Sequence, residues 1–212
     1  MIFITPDQPF PDYSLADADG LLAVGADLSV KRLVDAYSKG IFPWYNDGQP
    51  VLWWSPDPRM VLIPENIHVS KTMRKVLREE RFKVTFNTAF LDVILNCKRI
   101  ERDGQYGTWI TNEMVDAYLE LYKQGFAESV EIWESGTLVG GLYGINLKEK
   151  KVFCGESMFA KTSNASKVAL ITLAQNLQKN NYKLIDCQVY TEHLESMGAA
   201  EISRAEFLSV LT

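Results

Sequence analysis

Three polar side chains interrupt two apolar segments in the second half of the chain. Glu156 lies within residues 152–159, and Asp186 and Gln188 lie within residues 183–190. Both segments have the composition of buried strands, and strand alternation places Glu156 on one face with Cys154 and Met158. Burying a lone carboxylate is costly, so each must be paired or must serve a ligand. Two interpretations stay open: catalytic groups in a cleft, or structural ion pairs.

For the structural interpretation, Lys167 and Arg204 are candidate cations for these carboxylates. For the other interpretation, the carboxylates and the amide would serve a bound ligand.

Aromatic side chains are concentrated in residues 41–59, IFPWYNDGQPVLWWSPDPR, which hold Trp44, Trp53 and Trp54. Proline removes backbone donors and fixes φ, so this segment is neither an ordinary helix nor a central strand. Rigid aromatic rings in such a frame suit stacking on nucleobases. The alternative is a small aromatic core beneath a loop. Trp109, just before a predicted helix start at Thr111, can likewise line a cleft edge or fill the core.

A basic stripe follows Ser70 on a predicted helix. Its residues are spaced i, i+3, i+4 and i+7 and are Lys71, Arg74, Lys75 and Arg78. Such spacing gathers the four cations on one helix face. That face is either simply solvated or a track for phosphates, and it contrasts with a chain of formal net charge −5.

The composition excludes several classes. Three isolated cysteines, Cys97, Cys154 and Cys187, predict a reducing, cytoplasmic location and no disulfide framework. Only two histidines occur, in unrelated contexts, so we expect no metal site and no histidine-activated nucleophile. The chain carries no apolar run long enough for a membrane span and no signal-peptide pattern at its start, so we expect no membrane association. The evenly acidic surface favours a monomer.

Periodicity and capping signals predict the elements that position these residues. Strands are expected at 60–63, 82–86, 129–134, 138–146, 152–159 and 183–190, and helices at 29–39, 70–80, 87–99, 111–124, 164–179, 192–196 and from Ser203. Strand 152–159, helix 164–179 and strand 183–190 form a β-α-β unit with parallel strands. We therefore predict an α/β (α+β) fold with a mixed sheet of the N-acetyltransferase superfamily type, in a catalytic domain at 61–212. A small aromatic-rich N-terminal domain is predicted at 1–60.

The loop that opens the helix at 164 contains no glycine. Acetyltransferases of this fold seat the coenzyme A pyrophosphate on a glycine-rich loop at this place, whereas residues 160–167 read AKTSNASK. Gly140, Gly141 and Gly144 lie inside a predicted strand and cannot form such a cradle. The sequence therefore predicts an acyl donor other than coenzyme A.

Eight runs in order resemble the leucyl/phenylalanyl-tRNA–protein transferase family: GLLAVGADLS, GIFPWY, LWWSPDPR, GTWI, LVGGLYG, FCGESMF, NASK and LIDCQ. The resemblance extends from Gly20 to Leu211. It implies an enzyme that moves Leu or Phe from aminoacyl-tRNA to the N-terminal Arg or Lys of acceptor proteins and so marks them for N-end-rule degradation. It also implies no cofactor.

The resemblance assigns roles by position. Trp44 and Trp109 would hold the terminal adenosine of the tRNA, and the basic stripe would bind tRNA, although Glu79 replaces one basic position of that face. The acidic and amide residues of the family match Glu156, Asp186 and Gln188. As a mechanism, we expect Gln188 to accept a hydrogen bond from the attacking amine. Asp186 would orient Gln188 or the amine and balance developing charge, and Glu156 would attract the basic acceptor terminus. The implied pocket for the Leu or Phe side chain comprises Leu142, Phe153, Leu173 and Ile185.

Leu142 and Leu173 depart from a related sequence, which has Met and Phe at these positions. Such apolar exchanges change the shape of a pocket modestly, so the preference between Leu and Phe stays open. Three rival functions also stay open: coenzyme A-dependent N-acetylation, a non-catalytic RNA adaptor, and transfer of amino acids from tRNA to cell-wall precursors.

Overall fold

Two sheets organise the chain, which a computed structural model describes for residues 1–100 and 108–212. The smaller sheet has four strands in the order β1-β2-β4-β3. Its strands are β1 (Phe3–Ile4), β2 (Leu21–Gly25), β3 (Phe42–Pro43) and β4 (Leu52–Trp54). Helix α1 (Val30–Ser38) connects β2 to β3, and Ser29 caps it through a bond to the Arg32 amide. Residues Tyr13–Leu15 form a short 3₁₀ turn.

The larger sheet has seven strands in the order β11-β5-β10-β9-β8-β7-β6. They are β5 (Arg59–Leu62), β6 (Lys83–Phe86), β7 (Ala127–Glu134), β8 (Thr137–Leu147), β9 (Val152–Ala160), β10 (Leu184–Gln188) and β11 (Ala200–Ile202). β9 and β10 pair in parallel, and the other neighbours in this sheet pair antiparallel. The predicted mixed sheet and its β-α-β unit are therefore confirmed.

Helices cover both faces of the larger sheet. They are α2 (Lys71–Arg78), α3 (Phe90–Arg99), α4 (Asn112–Lys123), α5 (Ala165–Lys179), α6 (Glu192–Ser196) and α7 (Arg204–Leu211), and Pro64–Asn66 form a 3₁₀ turn. Capping residues fix their starts as the sequence predicts: Ser70 accepts from the Met73 amide, and Ser203 and Glu206 form a capping box. Among the helices of the described residues, none is long and apolar enough to cross a membrane.

The core forms two clusters on opposite faces of the larger sheet. One contains Leu170 and Leu173 of α5. The other contains residues of α3 and α4 together with Trp53 of the smaller sheet, so it connects the two sheets. The division of the chain at residue 60 stays a prediction, since β5 of the larger sheet begins at Arg59.

Two bulges lie side by side where β9 and β10 separate. Their parallel pairing ends at Asp186 opposite Cys154. In β9, Glu156 is the extra residue, because Tyr143 pairs with Ser157 while Gly144 pairs with Gly155. The expectation that Cys154 and Met158 share a face is wrong: the bulge shifts the alternation, and the two side chains pack in different clusters. Bulges of this kind re-aim side chains next to functional sites.

A second bulge interrupts the pairing of β10 with β5. Asp186 pairs with Val61 and Gln188 with Met60, which leaves Cys187 as the extra residue. Gln188 takes a left-handed backbone conformation, with φ of 62°. For a residue other than glycine this conformation is uncommon, so the surrounding structure must hold it.

Candidate active site

A cavity of about 390 Å³ opens where β9 and β10 separate. All four residues predicted to form the side-chain pocket line it: Leu142, Phe153, Leu173 and Ile185. Its lining is mainly apolar and includes Leu170 and Met158 as well. A cavity of this size and character suits a small apolar side chain.

Trp44 and Trp109 border the same cavity. Trp44 is 38% exposed, and its ring centroid lies 5.9 Å from that of Trp54. Trp109 is partly buried and lies two residues before Thr111, which caps α4 as predicted. Two tryptophans that are 65 residues apart in the chain thus meet at one opening, where they can stack on a flat ligand. Gly107 of the GTWI run lies outside the described residues.

Glu156 and Gln188 belong to the polar part of the cavity wall, together with Ser157, Thr191 and His193. The Gln188 Nε2 donates to Glu156 Oε1 at 3.1 Å. Tyr37 donates to the same oxygen at 2.8 Å, and Tyr118 donates to Oε2 at 2.8 Å. The two tyrosine hydroxyls are also in hydrogen-bond contact with each other. α1, α4, β9 and β10 therefore meet at one carboxyl group.

Burial raises the pKa of Glu156 to about 7, despite the opposing effect of hydrogen bonds from Tyr118 and Tyr37. Burial also raises the pKa of both tyrosines well above the usual value, and the charge of Glu156 adds to the shift. These hydroxyls therefore stay protonated near neutral pH, while Glu156 can carry or lose a proton. A carboxyl group poised in this way is typical of functional sites.

Asp186 is buried beneath the cavity rather than in its wall, with only 1% of its side chain exposed. Its two oxygens accept from Arg59 Nε at 2.8 Å and Nη2 at 2.7 Å. Arg59 also donates to the Gly40 carbonyl at 3.1 Å, and its guanidinium lies 4.8 Å from the Phe42 ring centroid and 4.6 Å from that of Phe207. This bidentate pair is geometrically specific and fully desolvated.

Asp186 connects this buried pair to Gln188, because its Oδ1 accepts from the Gln188 backbone N–H at 3.0 Å. The candidate cations Lys167 and Arg204 were wrong. Arg59 holds Asp186, while Arg204 donates to the Ser55 carbonyl. Glu156 is held by the two tyrosines and Gln188 instead. Sequence reasoning missed Arg59 since it is separated from Asp186 by 127 positions.

Tyr37 and Tyr118 were also missed as site residues. The periodicity of α1 places Tyr37 correctly on the core face, but nothing local shows that its hydroxyl meets a carboxyl group 119 positions away. His193 is a further unforeseen residue at the cavity. Its Nε2 is buried and has no hydrogen-bond partner among the described residues, and burial lowers its pKa.

The basic stripe lies on α2, on a different part of the surface. Lys71, Arg74 and Arg78 line a shallow groove together with Gln175 of α5. Lys75 is exposed and lies 3.7 Å from Glu79. Exposed pairs of this kind are weak, so the four cations remain available to an anionic partner.

The start of α5 packs tightly on the larger sheet. A Cβ on Gly140 would lie 2.5 Å from the Cβ of Ala165, the first residue of the helix. Gly140 and Gly144 thus serve close packing inside β8. The residue before the helix, Asn164, takes the left-handed conformation with φ of 70°, and its side chain makes no capping bond.

The parallel pair β9–β10, which is connected through α5 and separates at paired bulges, gives a mixed α+β fold, the fold class that the sequence predicts. Solved structures match it only distantly. The C-terminal domain of a putative lysylphosphatidylglycerol synthetase from Agrobacterium fabrum is 10% identical with a TM-score of 0.43, and the match covers 82% of this chain and 56% of that one.

Within that class the family is specific. Residues 61–212 match the leucyl/phenylalanyl-tRNA protein transferase family, and residues 26–57 match the N-terminal domain of the same family. The chain belongs to this family, as its motifs predict, and is an aminoacyltransferase. It is 62% identical to the leucyl/phenylalanyl-tRNA–protein transferase of Christiangramia forsetii, with 100% of both chains covered. It is 59% identical to that of Flavobacterium johnsoniae, covering 100% of this chain and 99% of the relative.

Proposed function

We propose that this enzyme transfers Leu or Phe from aminoacyl-tRNA to the N-terminal Arg or Lys of acceptor proteins. We further propose that it acts as a cytoplasmic monomer and marks those proteins for N-end-rule degradation. One observation supports the proposal most directly: an apolar cavity bordered by Trp44 and Trp109 carries the Glu156–Gln188 pair in its wall. The cavity suits an apolar amino acid, the tryptophans suit a nucleobase, and the carboxyl group suits a cation.

On the donor side, Trp44 and Trp109 hold the terminal adenosine, and the esterified Leu or Phe enters the cavity. Leu142, Phe153, Leu173 and Ile185 surround its side chain. These four are nearly fully buried, with exposures of 1–3%. Their packing therefore defines the shape of the pocket.

On the acceptor side, little base strength is needed. An α-amino group has a reference pKa of about 7.7–8.0, so a useful fraction is neutral at pH 7. Holding the amine against the activated ester can supply ~7–11 kcal/mol. Since the Nε2 of Gln188 faces Glu156, its side-chain oxygen is the atom left to accept a hydrogen bond from the attacking amine.

Asp186 acts through Gln188 in this proposal. Its carboxylate is neutralised by Arg59 and lies outside the cavity wall, so it does not balance developing charge directly. Its bond to the Gln188 N–H instead stabilises the left-handed backbone that directs the amide into the site. Asp186 is therefore a positioning residue, and Glu156 meets the cationic acceptor residue.

The basic stripe contacts tRNA phosphates away from the cavity. A local basic surface is effective on a chain of net charge −5, because screening confines fields to about 8 Å at physiological salt. Specific placement of the acceptor end then depends on the two tryptophans.

Transfer of labelled Leu or Phe to synthetic peptides tests the proposal. Peptides that begin with Arg or Lys should be labelled, and an otherwise identical peptide that begins with Ala should not. Titration with acetyl coenzyme A should give no binding heat. Labelling of no peptide, or of all three equally, would contradict the proposed specificity. Sedimentation analysis with and without tRNA checks the monomer.

A further inference from the structure

Two tyrosine hydroxyls and one carboxyl group form a closed ring at the cavity wall, in which Glu156 lies. Tyr37 contacts Tyr118, Tyr37 contacts Glu156 Oε1, and Tyr118 contacts Glu156 Oε2. Both tyrosine side chains are buried, with exposures of 1% and 0%. Each of the three oxygen–oxygen contacts therefore needs one proton, which must come from Tyr37, Tyr118 or Glu156.

A count of protons distinguishes the two charge states of Glu156. Each tyrosine hydroxyl donates once, and an ionised carboxylate only accepts. With Glu156 ionised, both hydroxyl protons point to the carboxylate and the contact between Tyr37 and Tyr118 has none. With Glu156 protonated on Oε2, the oxygen that does not accept from Gln188, Oε2 donates to Tyr118 instead of accepting from it. Tyr118 then donates to Tyr37 and Tyr37 donates to Oε1, so the ring closes with three bonds. The observed geometry fits the protonated carboxyl group.

The charges around this ring support the same state. Glu156 is influenced by Asp186, whose negative charge disfavours ionisation, and by Arg59, whose positive charge is held by Asp186 itself. Tyr143 of β8 lies against Tyr118, and the Cys154 thiol of β9 is buried nearby, with its pKa raised well above the usual value. His193 lines the same cavity as Glu156, and burial lowers the pKa of this histidine, which disfavours its charged form. Arg59, a cation whose charge acts on Glu156, is already paired with Asp186.

We propose that Glu156 carries a proton while the acceptor site is empty and releases it to solvent when a cationic acceptor residue binds, with Tyr37 and Tyr118 as the positioning residues that hold this carboxyl group. The proposal rests on the proposed function for the placement of the acceptor beside Glu156. Binding then converts a neutral carboxyl group and a cation into an ion pair plus one free proton.

This proton exchange strengthens the selection for acceptor proteins whose N-terminal residue is basic. A cationic side chain stabilises the carboxylate and so replaces the lost proton, whereas a neutral side chain cannot. Linkage fixes how the affinity for the acceptor depends on pH. Below the titration midpoint of Glu156 the acceptor must displace a proton from the carboxyl group, and above the midpoint there is no proton to displace. Since burial raises the pKa of Glu156 to about 7, Kd for a cationic acceptor should be about tenfold weaker at pH 6 than at pH 8.

The first test measures Glu156 in the free enzyme. Carbon-13 NMR of protein labelled at glutamate side-chain carboxyl groups, with the signal assigned by its loss in Glu156→Gln, should show a midpoint near 7. An ordinary midpoint near the model-peptide value of about 4.3 would overturn the proposal without any reference to acceptors.

Variants of the ring test the role of the tyrosines. Tyr118→Phe opens the ring and removes a hydrogen bond to the carboxyl group, so the Glu156 midpoint should shift, and Tyr37→Phe gives a second case. Tyr122→Phe is the matched control, since this residue of α4 bonds to the Asn87 carbonyl and stacks on Phe90 instead. A lower melting temperature with an unchanged Glu156 midpoint would show that the tyrosines only stabilise the fold, and it would overturn the positioning role proposed for them.

The second test measures proton release on binding. The probe is a peptide capped with 5-guanidinopentanoyl, which keeps the guanidinium of arginine but has no α-amine to titrate or react. Calorimetry at pH 6 in two buffers of different ionisation enthalpy should show about one proton released, and Kd should improve about tenfold by pH 8. Binding without proton release would overturn the exchange, even with a midpoint near 7. Labelled-peptide transfer reports separately on the proposed function, because it does not depend on how Glu156 is protonated.

Discussion

Replacing Arg59 with Met should separate the stability role of the Arg59–Asp186 pair from its role in catalysis. Both side chains are 1% exposed, so the single variant leaves a desolvated carboxylate without its partner. Breaking a buried ion pair from one side costs about 3–5 kcal/mol, against a typical total stability of 5–15 kcal/mol. We expect urea unfolding to show this loss in Arg59→Met. Removing both charges should restore most of it, because two apolar or neutral groups carry no uncompensated charge.

The catalytic role is measured by comparing two double variants. Arg59→Met with Asp186→Asn keeps an oxygen that can accept from the Gln188 N–H, while Arg59→Met with Asp186→Leu has none. A neutral hydrogen bond contributes about 1 kcal/mol, which corresponds to a roughly fivefold faster transfer step in the Asn variant. Single-turnover transfer of labelled Leu at saturating tRNA measures this step.

The comparison also decides whether the Asp186 carboxylate is a base. If it took the proton itself, both double variants would lose a similar factor of about 10²–10⁴, since neither has a carboxylate. Equal and severe losses in the two variants would therefore refute the assignment of Asp186 as a positioning residue. A clear advantage of Asn over Leu would support it.

Three further perturbations test the tRNA and side-chain contacts. Trp44→Ala should weaken aminoacyl-tRNA binding by about 5–150-fold in filter binding, because stacking contributes about 1–3 kcal/mol per base; unchanged affinity would show that the ring does not hold the adenosine. Changing the whole basic stripe to Glu should weaken tRNA binding and flatten its dependence on salt, by roughly 0.9 in log–log slope for each lost duplex contact; a wild-type slope would mean a merely solvated helix face. Leu173→Ala should enlarge the cavity, raise the ratio of Phe to Leu transfer, and cost about 2–5 kcal/mol in urea unfolding; an unaltered ratio would place the substrate side chain elsewhere.

Short-range sequence signals predicted much of the fold. Helices of the structure begin directly after Ser70 and Ser203, and another ends just before Gly125, as the sequence predicts. The β-α-β unit is predicted from an apolar strand, a long helix and a second apolar strand. The Ser135–Gly136 turn joins β7 to β8, with positive φ at both residues, as a two-residue hairpin requires. These features depend on neighbours in the chain, so short-range rules find them.

The arrangement inside the site depends on contacts between distant segments. Period-two alternation cannot reveal an extra residue in a strand, so the bulge at Glu156 was missed and with it the shift of Met158 to the opposite face. The partners of the two carboxyl groups, Arg59 and the tyrosine pair, come from β5, α1 and α4. Nothing in the spacing of these residues shows that they meet.

Because the two sheets share one hydrophobic cluster, we expect them to unfold together on heating. Trp53 is fully buried and packs in the same cluster as Ile94 and Tyr118, which belong to helices on the larger sheet. A fragment cut after residue 60 would expose these apolar surfaces to water, and this costs about 25 cal/mol for each Å² of apolar area exposed. Trp44, Trp109 and the hydrogen bonds around Glu156 should therefore be lost together on heating, in one cooperative transition, so that no partly unfolded enzyme keeps the proposed donor site without the proposed acceptor site.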